Sequence, residues 1–250
     1  AEHGGLMSED NLIDELLSIP GSSEDNKAAI KFILNQLLSH RFSFAKETKQ
    51  SNGFWKTPEA NVDLFDDTID SIRSLIDGHG EALNLDELIE KIQEAEFYGT
   101  NNDLTDRVVI NFINVTKKLK SNPYEEWGLV EWASITPRRM NDKIYLVLQK
   151  KGKPMHFTNI ADIINQMAFD HRKAYPATIH NELILDKKYV LVGRGIYALK
   201  EWGYKPGVVA DVIADILNDS DKPLTKKEIT EAVFEKRMIK ETTITLALMN

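Results

Sequence analysis

KPMHFTNIADII, Lys153 to Ile164, is echoed sixty-nine residues later by KPLTKKEITEAV, Lys222 to Val233. Both begin with Lys-Pro, pass through one large apolar residue and one polar residue, and continue as an apolar stripe. With Met155 as the anchor, Ile144, Val147 and Leu148 lie 11, 8 and 7 residues before it, and Ile160 and Ile164 lie 5 and 9 after. Further along the chain the same positions read Ile213, Ile216, Leu217, Leu224, Ile229 and Val233. Toward the N-terminus they read Ile72, Leu75, Ile76, Leu83, Leu88 and Ile92. A fourth set, Met7, Leu12 and Leu16, starts the chain. Repetition at a fixed spacing is weighed before any other signal, because it means one small unit used several times.

Apolar residues at i, i+3 and i+4 form one stripe of a helix, so each repeat opens with an amphipathic helix. A Gly- or Pro-bearing break follows (HGGL, HGEA, KGKP, SDKP), then the anchor, then Ser8, Asn84, His156 or Thr225. Ser, Asn and Thr oxygens accept from the free N–H groups of a first turn, which predicts a second helix starting there. His156 is the weakest cap of the four, with Thr158 as its substitute. A third helix is expected at Asn26–Ser39, Asp103–Lys118, Ala177–Leu185 and Glu241–Met249. After the third of these, YVLVGRGIYAL (Tyr189–Leu199) has two β-rich runs about Gly193-Arg194-Gly195, which predicts a hairpin. Arg41–Thr57 is a looser version, and EEWGLVEWASI (Glu125–Ile135) fits a hairpin poorly.

Three helices and a hairpin make a winged helix-turn-helix. The expected fold class is therefore mainly α with small β-hairpin wings, in a tandem array of about four winged helix-turn-helix domains. Pro58, Pro137 and Pro206 break the chain between repeats, which sets the boundaries at 1–57, 60–135, 136–205 and 206–250. Glu126-Trp127-Gly128 and Glu201-Trp202-Gly203 read as related closing features, with tryptophans that pack between repeats. Ala1 is not an initiator, the first repeat has no first helix, and the fourth stops before a wing. The chain therefore reads as a fragment of a longer protein.

At 250 residues, with 42% hydrophobic and 28% charged residues, the chain has material for several small cores. No apolar run approaches the ~18 residues of a membrane span. The absence of cysteine excludes disulfides and thiolate sites and fits a reducing compartment. Net charge is −8, but residues 1–135 carry 12 basic and 25 acidic side chains, while residues 136–203 carry 12 and 6. The third repeat is a basic island in an acidic protein, and such asymmetry points to a polyanionic partner.

TIHNELILDKKYVLVGRGIYALKEWGY (Thr178–Tyr204), with KPMHFTNIADII before it, resembles the HARE-HTH winged-helix domain. That domain occurs in the delta subunit of bacterial RNA polymerase and in several DNA-associated proteins. The whole chain is similar to the region that follows region 4 in some bacterial sigma-70-type sigma factors, with HGGLMSEDNLIDELL and EWGY as the other matching pieces. The resemblance is strongest from about Trp127 to Tyr204 and weakest between Ser43 and Asp63. It implies part of a sigma-factor-like transcription regulator, cytoplasmic and nucleoid-associated, with duplex DNA and the RNA polymerase core as partners. No signature of the sigma regions that melt or recognise promoters is present.

In a helix-turn-helix the third helix enters a major groove and the wing meets the adjacent backbone. Lys and Arg on phosphates supply most of the affinity, so charge selects the third repeat. Ile179 and Leu183 face inward, which turns Thr178, Asn181 and Glu182 outward and leaves His180 at the edge. Asn181 is the best candidate for a base edge. Arg172 and Lys173 lead into the helix, Lys187 and Lys188 follow it, and Arg194 tips the wing, all as phosphate candidates. Enzyme chemistry finds no footing. Neither a phosphate-loop nor an H-E-x-x-H motif is present, and GRGIY lacks the following helix that a phosphate cradle requires. The six histidines form no pair at i, i+4, and Asp66, Asp67 and Asp70 read as an exposed acidic face. No cofactor, metal, membrane or small-molecule substrate is expected. The competing function is a protein-interaction scaffold whose acidic repeats dock on RNA polymerase or another basic partner.

Overall fold

The computed structural model describes residues 4–19, 26–204, 209–237 and 239–249. The protein is mainly helical with three small antiparallel sheets, and it divides into two compact units, Ala1–Thr136 and Pro137–Asn250.

The first unit begins with β1 (Leu6–Ser8), α1 (Glu9–Leu17), α2 (Lys27–Phe32, continued by a π-helical turn Ile33–Leu37), β2 (Ser43–Ala45) and β3 (Phe54–Lys56). It continues with α3 (Val62–His79), β4 (Leu83–Asn84), α4 (Leu85–Glu94), α5 (Glu96–Gly99), α6 (Asp106–Val115), β5 (Leu119–Ser121) and β6 (Glu126–Leu129). The second unit holds α7 (Met140–Lys151), β7 (Met155–His156), α8 (Phe157–Met167), α9 (Pro176–Leu185), β8 (Tyr189–Gly193) and β9 (Ile196–Leu199). It also holds α10 (Val209–Asn218), α11 (Lys226–Lys236) and α12 (Glu241–Met249). Third helices thus form within each of the four stretches expected for them, give or take a residue.

The anchor residues have a structural meaning that periodicity alone did not carry. Three of the four, Met7, Leu83 and Met155, lie on strands of two or three residues that pair with the last hairpin strand, giving the orders β1-β3-β2, β4-β6-β5 and β7-β9-β8, whereas Leu224 lies in no strand. In each sheet the anchor sits opposite an aromatic residue: Met7 opposite Trp55, Leu83 opposite Trp127 and Met155 opposite Tyr197. The residue after the anchor then caps the second helix. Ser8 accepts from Asn11 N, and Asn84 and Thr225 form capping boxes with Glu87 and Glu228. His156 itself caps α8, its Nδ1 accepting from Thr158 N at 3.3 Å, while Thr158 Oγ1 lies 2.7 Å from the same ring nitrogen.

One core fills the first unit. α3 starts at Asn61, whose Oδ1 accepts from Leu64 N, and ends at Gly80 with φ 81°. Between these caps it buries Phe65, Ile69, Ile72 and Ile76 along one stripe, at about 1.5–3 kcal/mol for each large side chain. Leu6 and Phe54 from the first sheet join this core with Val108 and Phe112 of α6. Phe65 meets Phe54 at 6.1 Å and Phe112 edge-on at 5.3 Å between ring centroids. The first two repeats are therefore packed together, the first repeat's sheet lying on the third helix of the second.

In the second unit α7, α8 and α9 enclose Ile144, Val147, Leu148, Ile160, Ile164, Ile179 and Leu183 against Tyr189, Tyr197 and Leu199 of the hairpin. A separate cluster of Val212, Ile213, Ile216, Ile229, Val233 and Ile244 holds α10, α11 and α12 together. Arg237, after α11, is only 6% exposed. Its Nε donates to Val192 O at 3.2 Å and its Nη2 to Leu191 O at 3.5 Å, so it covers the outer edge of β8. Burial lowers the Arg237 pKa from its ordinary value, and Asp211 opposes that shift.

Two expectations change. The second repeat does have a hairpin, but it runs from Leu119 to Leu129 and only its last strand lies within Glu125–Ile135. Residues 130–136 instead fold back over the sheet. Gly128 permits this, because a Cβ there would stand 2.7 Å from Ile135 and 3.0 Å from Trp132. The two E-W-G motifs are also not equivalent. Trp127 lies within β6, whereas Trp202 lies in a 3-10 turn after β9. The counterpart of Trp202 is Trp132, since each stands three residues beyond a buried leucine that ends the sheet, Leu199 and Leu129.

Candidate nucleic-acid interface

α9 and its flanks carry every residue the sequence singles out. Pro176 opens α9 at a position where no intrahelical N–H is needed. The turn before it is pinned from two sides. Asn165 Oδ1 accepts from Ala174 N at 2.8 Å, and its Nδ2 donates to Ala174 O at 2.9 Å. Asp170 accepts from Lys143 Nζ at 2.6 Å and from Arg172 N at 2.9 Å. The Lys143 side chain is 1% exposed, so the pair is buried at its cationic end. The hydrogen bond from Lys143 holds the Asp170 carboxyl below its ordinary pKa, with burial acting against it.

On that frame Arg172, Lys173, Thr178, Asn181, Lys187 and Arg194 are exposed. Arg172 and Lys173 precede α9, Lys187 follows it, and Arg194 occupies the hairpin tip beside Gly195, whose φ is +69°. The Lys173 ammonium lies 5.7 Å from the Tyr175 ring centroid. His180 and Lys188 sit differently. The His180 ring stacks on Phe157 at 4.6 Å and meets Tyr197 edge-on at 5.8 Å, so it is half-buried among aromatic rings rather than presented outward. Lys188 is also half-buried, lying over Tyr145 and Tyr189 at 5.2 and 5.3 Å and 3.6 Å from Asp186. Glu182 accepts from Asn141 Nδ2, and the Tyr189 hydroxyl donates to Asn141 O. Burial raises the Tyr189 pKa far above its ordinary value, so the hydroxyl stays a donor.

Sequence reasoning missed three features. Ile184 and Leu185 are 60% and 79% exposed at the end of α9, and Tyr175 is 58% exposed at its start. Lys143, four residues before Val147 on the inward side of α7, was the one available signal of the pair with Asp170. Arg237 had no signal at all, because its acceptors are backbone carbonyls.

α6 provides the comparison that distinguishes α9. The two helices are seventy residues apart at both ends, and Val109 and Ile113 of α6 match the inward Ile179 and Leu183 of α9. The outward positions of α9, Thr178, Asn181 and Leu185, match Val108, Asn111 and Val115, all of which are buried. Asn111 Nδ2 donates to Leu6 O, so that face of α6 is taken by the first repeat's sheet. On α9 the same face is open.

Among the described residues no helix is long and apolar enough to cross a membrane, and no three His, Cys, Asp or Glu side chains are grouped to hold a metal ion. No family model, no curated protein and no solved structure matches the chain.

Proposed function

We propose that the repeated element is a winged helix-turn-helix, that the chain is a tandem array of about four of them, and that the third binds duplex DNA. The observation that carries this reading is the contrast between α9 and α6. The outward face of α9 is open along Thr178, Asn181 and Leu185, its one carboxylate, Glu182, is half-buried and bonded to Asn141, and the face is flanked by exposed Arg172, Lys173, Lys187 and Arg194. The equivalent face of α6 is buried and belongs to the acidic half. In this reading the four cations neutralise phosphates and Asn181 offers its amide to a base edge. Ile184 and Leu185 are apolar neighbours suited to thymine methyl groups. The chain acts without enzymatic chemistry, as a transcription-associated region of a sigma-factor-like regulator working at the nucleoid. The RNA polymerase core is the partner of the acidic repeats.

The test is titration of a mixed-sequence duplex with the full chain at low salt, followed by fluorescence anisotropy. Charge reversal of Arg172, Lys173, Lys187 and Arg194 together abolishes binding in this reading, and reversal of Lys226, Lys227, Lys236 and Lys240 leaves most of it. Equal loss in both variants would assign the affinity to overall charge instead. The scaffold reading draws on a different observation, the packing of the first two repeats into one core with Asp66 and Asp67 exposed on α3. A pull-down in which core polymerase retains the full chain, and loses it when those carboxylates are neutralised, separates that role from DNA binding.

A further inference from the structure

α9 turns an apolar stripe to water as well as to the core. Ala177, Thr178, Asn181, Ile184 and Leu185 are all exposed, and their spacing of i, i+1, i+4, i+7 and i+8 places them on one side of the helix. Ile179 and Leu183 fill the core of the third repeat from the other side. A helix that is apolar on both sides is normally covered on both.

The matching stripe of α6 is Arg107, Val108, Asn111, Asn114 and Val115. There Val108, Asn111 and Val115 are buried, and the residue that meets water, Arg107, is charged. α9 carries Ala177 and Ile184 where α6 carries Arg107 and Asn114, and both stand in water. At the centre of the stripe Asn111 donates to Leu6 O, whereas the Asn181 amide bonds to none of the described residues.

Major-groove chemistry identifies what such a stripe recognises. Guanine is read by Arg or Lys, cytosine by Asp or Glu, adenine by Asn or Gln, and the thymine methyl by apolar side chains. The sequence of α9, PATIHNELIL, holds no Lys or Arg. Its one carboxylate, Glu182, is half-buried and accepts from Asn141 Nδ2 at 3.3 Å. His180 is held against Phe157 and Tyr197. The exposed cations Arg172, Lys173, Lys187 and Arg194 all lie off the helix. What faces outward is one adenine reader among methyl groups.

We propose that α9 selects A·T base pairs, with Asn181 bonded to the N6 and N7 edge of an adenine and Ile184 and Leu185 packed on thymine methyl groups. This rests on the reading that α9 enters the major groove of a duplex. The stripe from Ala177 to Leu185 is ~12 Å long at ~1.5 Å per residue, which spans about three to four base pairs at ~3.4 Å each. The cations on either side of it favour a polyanion over a protein as its occupant.

The test begins with selection of bound duplexes from a randomised library by the full chain, which yields sites centred on about three to four A·T pairs. In the selected site, uracil replaces each thymine in turn and removes only a major-groove methyl. The substitution weakens binding about fourfold where that methyl is covered. In the Ile184→Ala or Leu185→Ala chain the loss disappears at one of those thymines. 7-Deazaadenine removes only N7 and weakens binding about two- to tenfold at one adenine, and Asn181→Ala abolishes this sensitivity. The three substituted residues are exposed, so each variant keeps its core, and the analogue series on the parent chain needs no variant at all. Selected sites rich in G·C, or duplex binding indifferent to both analogues, would overturn the assignment while leaving DNA binding in place. Failure to bind any duplex would overturn the DNA reading together with it, and the two failures are thereby told apart.

Discussion

The turn that aims α9 depends on a buried ion pair, and the two partners should respond unequally to removal. Lys143 Nζ lies 2.6 Å from Asp170 Oδ1; the lysine side chain is 1% exposed and the aspartate 26%. Asp170→Ala strands an ammonium group with no access to water, and breaking a buried pair from that side costs about 3–5 kcal/mol. Lys143→Met keeps the volume and leaves a carboxylate that is partly hydrated and still accepts from Arg172 N at 2.9 Å. Its loss should be about 1.5–3 kcal/mol, that of a hydrogen bond to a charged group. The double variant Lys143→Met/Asp170→Ala should be more stable than Asp170→Ala alone by about 2 kcal/mol, because the stranded charge is gone. Native-state hydrogen exchange of α7, α8 and α9 amides reads these differences for the second unit alone. A larger loss in Lys143→Met than in Asp170→Ala, or strictly additive losses in the double variant, would refute the reasoning.

Other perturbations follow from the same geometry. Asp170, Asp106 and Glu228 all have carboxyl pKa values lowered in the fold, by hydrogen bonds from Lys143, from Gln93 and Tyr98, and from Thr225 respectively. The unfolded chain therefore binds their protons first, so stability is present above about pH 4 and is lost as pH falls below it. Urea midpoints measured from pH 7 to pH 3 should decline only in that last interval. Arg237→Met removes the donors to Leu191 O and Val192 O at the covered edge of β8 and should cost about 1.5–3 kcal/mol, with hydrogen-exchange protection lost first in β8 and α11. Gly195→Ala combines a φ of +69° with a Cβ 2.5 Å from His156 Nε2 and should destabilise by roughly 1–3 kcal/mol. Gly152→Ala, at φ +61° with open space around it, should cost only about 1–2 kcal/mol in thermal unfolding.

What could be read from the sequence was what repeats and what alternates. Helix stripes such as Ile144-Val147-Leu148 and caps such as Asn84 and Thr225 announce themselves because they depend on neighbours three or four residues away. The β4-type strands were not legible: two residues cannot display an alternation, and their existence rests on pairing with strands some forty residues distant. The second hairpin was misplaced because Trp127 and Trp132 occur in one run, although only the first belongs to a strand and the second packs over Gly128. At the candidate interface, the exposed cations followed from composition and helix phase. His180 and Lys188 are half-buried against rings from α8, β9, α7 and β8, contacts that the sequence of α9 and its flanks does not display. The burial of Asn111 against Leu6, which distinguishes α6 from α9, is a contact between repeats and leaves no local trace.

The central claim is that α9 and its flanks neutralise DNA phosphates, and a salt titration of duplex binding tests it most directly. The observable dissociation constant of the full chain is measured from low to moderate salt, alongside a chain in which Arg172, Lys173, Lys187 and Arg194 are replaced by Gln. Each phosphate contact contributes about 0.9 to the slope of log affinity against log salt, so the four substitutions should flatten the slope by about 3 to 4. An unchanged slope, or no duplex binding by the parent chain even at the lowest salt, would contradict the claim and leave the open face of α9 to a protein partner.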